Sequence, residues 1–330
     1  MILITGATGL IGSYIARLFV QKGEKVKLLL RPNTDTILIN DFIEHSTIAY
    51  GDILDTASLY QAMQEVQCVL HCAAIVSFGE VSEHDMYMTN VEGTKNIVNT
   101  CIEVGVHSLI YLSSVAALGR TSANEVIDET AKWEESGYNS AYARSKYLAE
   151  LEVWRGIHEG LRAAMLNPTV VLGPGNWNRS STKIFKNLYK GIMYYPTGST
   201  NVVDVRDVAQ AAWILYTHKV HSERYIIHAH TISYYDLFCK VAEVFGNDKP
   251  YLRISKYLML SAYYVLKIFA PYFLKKRYIN RETIIIASSH YSYDNTKFIK
   301  QFGMTYRTVD DSIMWCCQEL NKSNKKLNIE

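Results

Sequence analysis

An α/β fold built on a doubly wound parallel sheet, with a smaller, partly helical C-terminal region, is predicted by three features of the sequence. Residues 1–170 alternate short apolar runs with apolar residues at helical spacing. The opening stretch, "MILITGATGLIGSYIARLF", passes through three glycines before its first helical pattern. After Gly175 the alternation breaks, and the texture turns aromatic and irregular. A strand–helix–strand rhythm of this kind gives parallel strands with helices on both faces, and ligands then sit at the carboxyl ends of the strands.

Residues 1–4 form an apolar run too short for a helix, hence the first strand. From there Leu10, Ile11, Tyr14, Ile15 and Leu18 recur at helical spacing. Gly6, Gly9 and Gly12 lie between the two. A strand that runs through a glycine turn into a helix directs bare backbone N–H groups and the positive end of the helix dipole at one point, which suits a phosphate. One glycine serves a tight turn, one a close backbone approach to a pyrophosphate, one close helix–strand packing.

"KVKLLL" reads as the second strand, "STIAYGD" as the third, "QCVLHCAA" as the fourth and "HSLIYLSS" as the fifth. Helical patterns lie between them, residues 89–104 among the clearest. A loop rich in Gly, Ser, Asn and Glu (119–139) follows, then a helix over about 141–160 and a strand over 163–166 that leads into "NPTVVLGPGNWN". "NVVDVRDVAQAAWILY" briefly restores a strand and helix. The organisation expected is a dinucleotide-binding domain over 1–170, with 201–218 returning to it, and a substrate-binding region over 171–200 and 219–330. The Lys/Asn-rich tail from Asn321 is expected to be disordered.

With 34 basic and 32 acidic side chains the formal charge is only +2, which points to neither a nucleic-acid partner nor an acidic substrate. The six cysteines form no CxxC pair and no metal-ligand rhythm, so they read as small apolar residues of a reducing compartment, and no metal is expected. Met1 already belongs to the first strand and no signal-peptide pattern is present; a cytoplasmic location is the expectation. One segment, "YLMLSAYYVLKIFAPYFLKKR" (257–277), is very apolar and ends in three cations, with Lys267 mid-run. The reading adopted is a helix that roofs an apolar pocket. The alternative is an interfacial membrane helix, giving peripheral membrane contact.

Two further spots carry chemistry. Tyr142 and Lys146 in "AYARSK" are four apart on a helix and share a face. An ammonium beside a phenol favours the phenolate and lowers the tyrosine pKa, which makes it usable as an acid or base near neutrality. Ser113 and Ser114 close the fifth strand, where a hydroxyl can hold a substrate carbonyl or alkoxide. His71, inside "VLHCAA" with no second ligand at metal spacing, reads as a structural histidine. Asp204 and Asp207 read as a turn and a helix cap.

Together these stretches resemble the extended short-chain dehydrogenase/reductases of the NAD-dependent epimerase/dehydratase superfamily, above all the branch with dihydroflavonol reductases and 3β-hydroxysteroid dehydrogenases. The resemblance rests on "TGATGLIG", "GDILD", "HCAAIVSF", "TNVEGT", "YLSSVAAL", "YARSK", "NPTVVLGPG", "VVDVRDVA" and "YDNTKFIKQFGMTYRTVDDSI", which span nearly the whole chain. It implies a Rossmann-like sheet and a catalytic triad of Ser114, Tyr142 and Lys146. Asn90 would support the lysine through water. Ser114 is preferred to Ser113 because the family's serine is the second of the doublet. Gly6, Gly9 and Gly12, with Thr8, Leu10 and Ile11 of the same turn, would hold the pyrophosphate. Asp52 and Ile53 would meet the adenine, Ala73 and Ala74 would line the channel to the nicotinamide, and Tyr142, Lys146 and Pro168 would complete the cofactor site.

An acid at the end of the second strand selects NAD by accepting from the ribose 2′-hydroxyl. Here "LLLRP" places Arg31 there, and a guanidinium suits a 2′-phosphate, so NADP(H) is preferred with NAD(H) left open. The function expected is an NADP(H)-dependent oxidoreductase that interconverts carbonyl and alcohol on a hydrophobic small molecule, as a homodimer or monomer. A nucleotide-sugar epimerase or dehydratase with tightly bound NAD is the second reading. Val115 and Ala116 stand against it, because the family's dehydratases carry acidic partners beside the serine. A dinucleotide-sensing regulator is the non-enzyme alternative, and it would have no need of the Tyr142/Lys146 pair.

Overall fold

Ile2, Leu3, Ile4 and Thr5 are all buried, as a strand covered on both faces requires. They form β1 (Ile2–Thr5) in a computed structural model that describes residues 1–76, 81–120, 124–178, 181–273 and 281–327. The chain continues through α1 (Leu10–Gln21), β2 (Val26–Leu30), β3 (Thr47–Tyr50), α2 (Thr56–Ala62), β4 (Cys68–His71) and α3 (Glu83–Tyr87). A π-helical turn (Met88–Glu92) then leads into α4 (Gly93–Val104) and β5 (Ser108–Leu112). Next come β6 (Asn124–Ile127), α5 (Ala141–His158), β7 (Ala163–Pro168), β8 (Val170–Leu172), α6 (Thr182–Tyr189), β9 (Tyr194–Pro196), β10 (Ser199–Asp204) and α7 (Val205–Thr217). The last part runs β11 (Glu223–Ile227), β12 (His230–Ser233), α8 (Tyr234–Phe245), β13 (Leu252–Ile254), α9 (Lys256–Phe273), α10 (Arg281–Ala287), β14 (His290–Tyr293), α11 (Thr296–Phe302) and α12 (Val309–Leu327).

Seven parallel strands make the central sheet in the order β11-β7-β5-β4-β1-β2-β3. Strand order reverses between β1 and β4, so the crevice beyond their carboxyl ends is where a ligand has room. One face is covered by α1 and α7, through Ile15, Phe19, Val208 and Leu215. The other is covered by α2, α4 and α5, through Leu59, Ile97, Val98 and Val153. Glycines set the closeness of that second layer: a Cβ on Gly156 would stand 2.5 Å from Val98 Cγ1, and one on Gly93 2.6 Å from Ile53 Cδ1. This holds α5, which carries Tyr142 and Lys146, tightly against α4.

Beside the central sheet stand three small sheets, β12-β10-β8, β13-β9 and β14-β6. A separate core of Phe185, Leu188, Val202, Leu237, Val241, Ile313 and Cys316 lies under α6, α8 and α12.

The structure departs from the sequence reading in four places. Residues 223–227 pair with β7 as the edge strand of the central sheet, so the returns to that sheet extend beyond residue 218. The 119–139 loop contains β6, which pairs in parallel with β14 far along the chain. The tail from Asn321 is helical as far as Leu327, and the Trp177 indole N–H donates to Ser323 Oγ at 3.4 Å. A roof requires the apolar side of 257–277 to face inward, yet from Lys256 to Val265 no residue is buried. The side chains of 266–277 lie outside the described residues.

Candidate active site

The turn after β1 is shaped by what its glycines leave out. Gly6 has φ +69°, a left-handed conformation, and a Cβ there would stand 2.5 Å from the Ala73 backbone nitrogen. A Cβ on Gly12 would strike the Gly6 carbonyl oxygen. Gly9 N donates to Gly6 O at 3.0 Å, and exposed Gly9 caps an α1 whose first turn holds no acid. Thr8, Leu10 and Ile11 are half-buried around it. Leu10 also meets the loop after β8, since a Cβ on Gly175 would lie 3.0 Å from Leu10 Cδ1. Bare backbone donors and a helix start with no acid in its first turn fit a dinucleotide pyrophosphate.

The neighbouring strand ends complete that crevice. Arg31 follows the last residue of β2 and is exposed, and neither of its chain neighbours is acidic. Asp52 Oδ1 accepts from Leu54 N at 2.9 Å and so shapes its own turn. The Ile53 side chain is packed into the core against Gly93, and Asn96 donates to its carbonyl at 3.0 Å. Ala73 and Ala74 are half-buried after β4, with Ala73 N donating to Thr5 Oγ1 at 3.3 Å. Pro168 closes β7 and is buried.

Asn90 sits in the π-helical turn, a distortion frequent at functional sites. Its Oδ1 accepts from Ile75 N at 2.7 Å, while Nδ2 donates to Ile75 O at 2.9 Å and to Ser145 Oγ at 3.0 Å. The amide therefore ties the loop after β4 to α5 one residue before Lys146. That makes Asn90 a positioning residue in this geometry.

Ser140 caps α5, its Oγ accepting from Ala143 N at 3.0 Å, and the helix then buries Tyr142 and Lys146 on one face. Ser114 is half-buried, caps the short turn after β5, accepts from Ala116 N at 3.2 Å, and acts on the Tyr142 phenol so as to lower its pKa. Asn167 of β7 holds the Ser114 carbonyl at 3.0 Å. Ser113 is buried, donates its backbone N–H to Leu166 O at 2.8 Å, and has no partner for its Oγ among the described residues. Lys146 is 1% exposed; its ammonium donates to Tyr111 Oη at 2.7 Å and to Leu112 O at 2.9 Å.

The electrostatics correct the spacing argument. Burial pushes the Tyr142 phenol up to about 12, with the neighbouring Ser114 hydroxyl acting in the opposite sense. Burial also brings the Lys146 ammonium down to about 7, against the attraction of Glu150. A depressed Tyr142 assumed a solvated pair; in a dry site, desolvation of both charged forms is the larger effect.

His71 is structural, as read. Its ring meets Thr5 Oγ1 at 2.7 Å and Thr94 Oγ1 at 3.0 Å, and burial lowers its pKa to about 3. Asp204 caps α7 and accepts from Ser312 Oγ at 2.7 Å, while Asp207 accepts from Arg307 N at 2.9 Å. Sequence reasoning missed Tyr111, Ser145 and Asn167, whose polar atoms hold Lys146, Asn90 and Ser114. A groove of about 430 Å³ lined by Glu129, Trp133, Tyr147 and Arg224 contains none of the candidate residues; it lies at the starting end of β11, away from the carboxyl ends.

The model of the NAD-dependent epimerase/dehydratase family matches residues 2–227. The chain belongs to that family. Among its relatives is a Synechocystis sp. protein provisionally named dihydroflavonol 4-reductase, 26% identical over 94% of this chain and 93% of the relative. Another is the Arabidopsis thaliana 3beta-hydroxysteroid-dehydrogenase/decarboxylase isoform 1, 24% identical over 84% of this chain and 67% of the relative. The crystal structure of gox2253 superposes with a TM-score of 0.86 at 29% identity, covering 98% of this chain and 99% of that one. This member of the epimerase/dehydratase family is thus an NAD(P)-dependent enzyme of the extended short-chain dehydrogenase/reductase type, with the family's Rossmann-like sheet.

Proposed function

We propose that the enzyme is an NADP(H)-dependent oxidoreductase that interconverts a carbonyl and an alcohol on a hydrophobic small molecule. The observation that carries this reading is the buried pair of Tyr142 and Lys146 with half-buried Ser114 beside them, its hydroxyl acting on the Tyr142 phenol. When bound, the nicotinamide supplies or accepts the hydride. Ser114 holds the substrate oxygen. Tyr142 gives that oxygen a proton in reduction and takes it back in oxidation. With its pKa raised to about 12, the phenol is protonated at neutral pH, the state a reductase needs. Lys146, near 7, is split between cation and neutral amine and supports the tyrosine and the cofactor ribose.

Val115 and Ala116, next to Ser114, are buried and apolar, which supports carbonyl reduction over sugar dehydration. The relatives named for a dihydroflavonol and a 3β-hydroxysteroid support an apolar, ring-bearing substrate. Arg31 supports the 2′-phosphate of NADP(H).

A thermal-shift panel with NADPH, NADH and UDP-glucose, followed by NADPH oxidation with apolar ketones and aldehydes, tests the proposal. NADPH is expected to stabilise most, and an apolar carbonyl to drive its oxidation. Stabilisation by the nucleotide sugar with no NADPH oxidation would replace this reading by an epimerase or dehydratase.

A further inference from the structure

We propose that α9, with the β9–β13 ribbon that feeds it, seats the protein on an anionic lipid surface. On the described part of α9, Tyr257, Leu258, Ser261, Ala262, Tyr264 and Val265 recur at helical spacing and are exposed, Tyr257 by 80%. Met259, Leu260 and Tyr263 of the same turns are half-buried. A surface helix ordinarily turns charged residues outward and apolar ones inward. Here the solvent-facing stripe carries no charge at all. The ribbon extends it: Tyr194 of β9 pairs with Leu252 of β13, and both are more than half exposed. Only Ser255 separates β13 from α9.

Charge identifies the occupant. Between Asp248 and Glu282 the chain has eight Lys and Arg residues and not one acid. Arg253 and Lys256 flank the apolar stripe at the start of α9. A second copy seated on this face would bring like charges together, which disfavours self-association. Anionic headgroups complement it, while tyrosines and apolar residues suit the boundary between headgroups and acyl chains. No helix among the described residues is long and apolar enough to cross a membrane, so the segment lies on the surface.

The test is flotation of the full-length protein with vesicles of phosphatidylcholine alone or mixed with phosphatidylserine. Wild type is expected to float with the mixed vesicles and stay behind with the neutral ones. Each cation near the surface is worth roughly five-fold in partitioning, so R253S/K256S lowers the bound fraction by about 25-fold at low salt. Y257S/Y264S lowers it as well, and that loss persists when salt is raised. Arg253, Tyr257 and Tyr264 are exposed and Lys256 is half-buried with none of the four in the core, so both variants keep a melting temperature near that of wild type. Failure of wild type to float, or equal flotation of wild type and both variants, overturns the proposal. A dimer in light scattering that Y264D makes monomeric, with no flotation, overturns it too by giving the face to a second copy.

Discussion

The Lys146 ammonium donates to the Tyr111 hydroxyl across 2.7 Å, inside the seam between α5 and the sheet. Thr94 acts on the Tyr111 phenol from the other side, Thr94 meets His71, and His71 meets Thr5 at the end of β1. A buried polar chain thus runs from the strand before the glycine turn to the lysine. These buried groups fix Lys146 where burial governs its charge.

Stability should therefore respond to pH through Lys146. Its folded pKa is lowered to about 7 from the ordinary 10.5, so between these values the unfolded chain binds a proton that the folded one lacks. Stability then rises with pH across this window. From pH 7 to 10 the wild-type urea midpoint should rise relative to that of Lys146→Met, since the buried cysteines and tyrosines titrate alike in both. An equal rise in both would contradict the burial of the amine.

His71 acts on the acid side. Its folded pKa of about 3, below the ordinary 6.5, means that the unfolded chain takes up the proton first as pH falls. Stability is lost progressively from pH 6.5 downward. Against wild type, His71→Gln should show a shallower fall in melting temperature over that range, though lower stability at pH 7 because Thr5 and Thr94 lose a fitted partner.

At the glycine turn, Gly12→Ala drives a Cβ into the Gly6 carbonyl. Backbone cannot yield as a side-chain end can, so about 1–3 kcal/mol of stability should be lost, as for overpacking elsewhere. Nicotinamide-dinucleotide affinity should fall with it. A titration and a melt indistinguishable from wild type would show that the turn has room the geometry denies.

How much of this was legible in the sequence follows from the range of each interaction. The glycine turn, the first five strands and the Tyr142/Lys146 face are local patterns, and the structure places them where periodicity does. The β6–β14 pairing joins residues 124–127 to 290–293, and nothing local in a polar loop announces a partner so distant. Tyr111 reads as one more aromatic in a buried strand; its role exists only because α5 brings Lys146 to its hydroxyl. The Tyr142 shift was read with the wrong sign because spacing reveals the neighbouring charge but not the depth of burial. Tyr257–Val265 reads as a roof by composition, and only the fold shows which side faces out.

Cofactor choice rests on Arg31. If its guanidinium grips the 2′-phosphate, Arg31→Ala should weaken NADPH by roughly 1.5–3 kcal/mol, the scale of hydrogen bonds to charged groups, and leave NADH nearly unchanged. Calorimetric titration of both cofactors decides it, since equal losses would assign the residue to the fold alone.

In the proposed reaction the Tyr142 phenol moves the proton at the substrate oxygen, and Tyr142→Phe removes that proton alone. The substitution keeps the ring that packs beside Ala143 and Ala116 and removes only the hydroxyl. The measurement is turnover of the apolar carbonyl found in the substrate panel, alongside NADPH affinity on the same preparation. NADPH binding is expected to be unchanged and turnover to fall by about 10²–10⁴, the scale of a lost general acid. Near-normal turnover with intact cofactor binding would contradict that role.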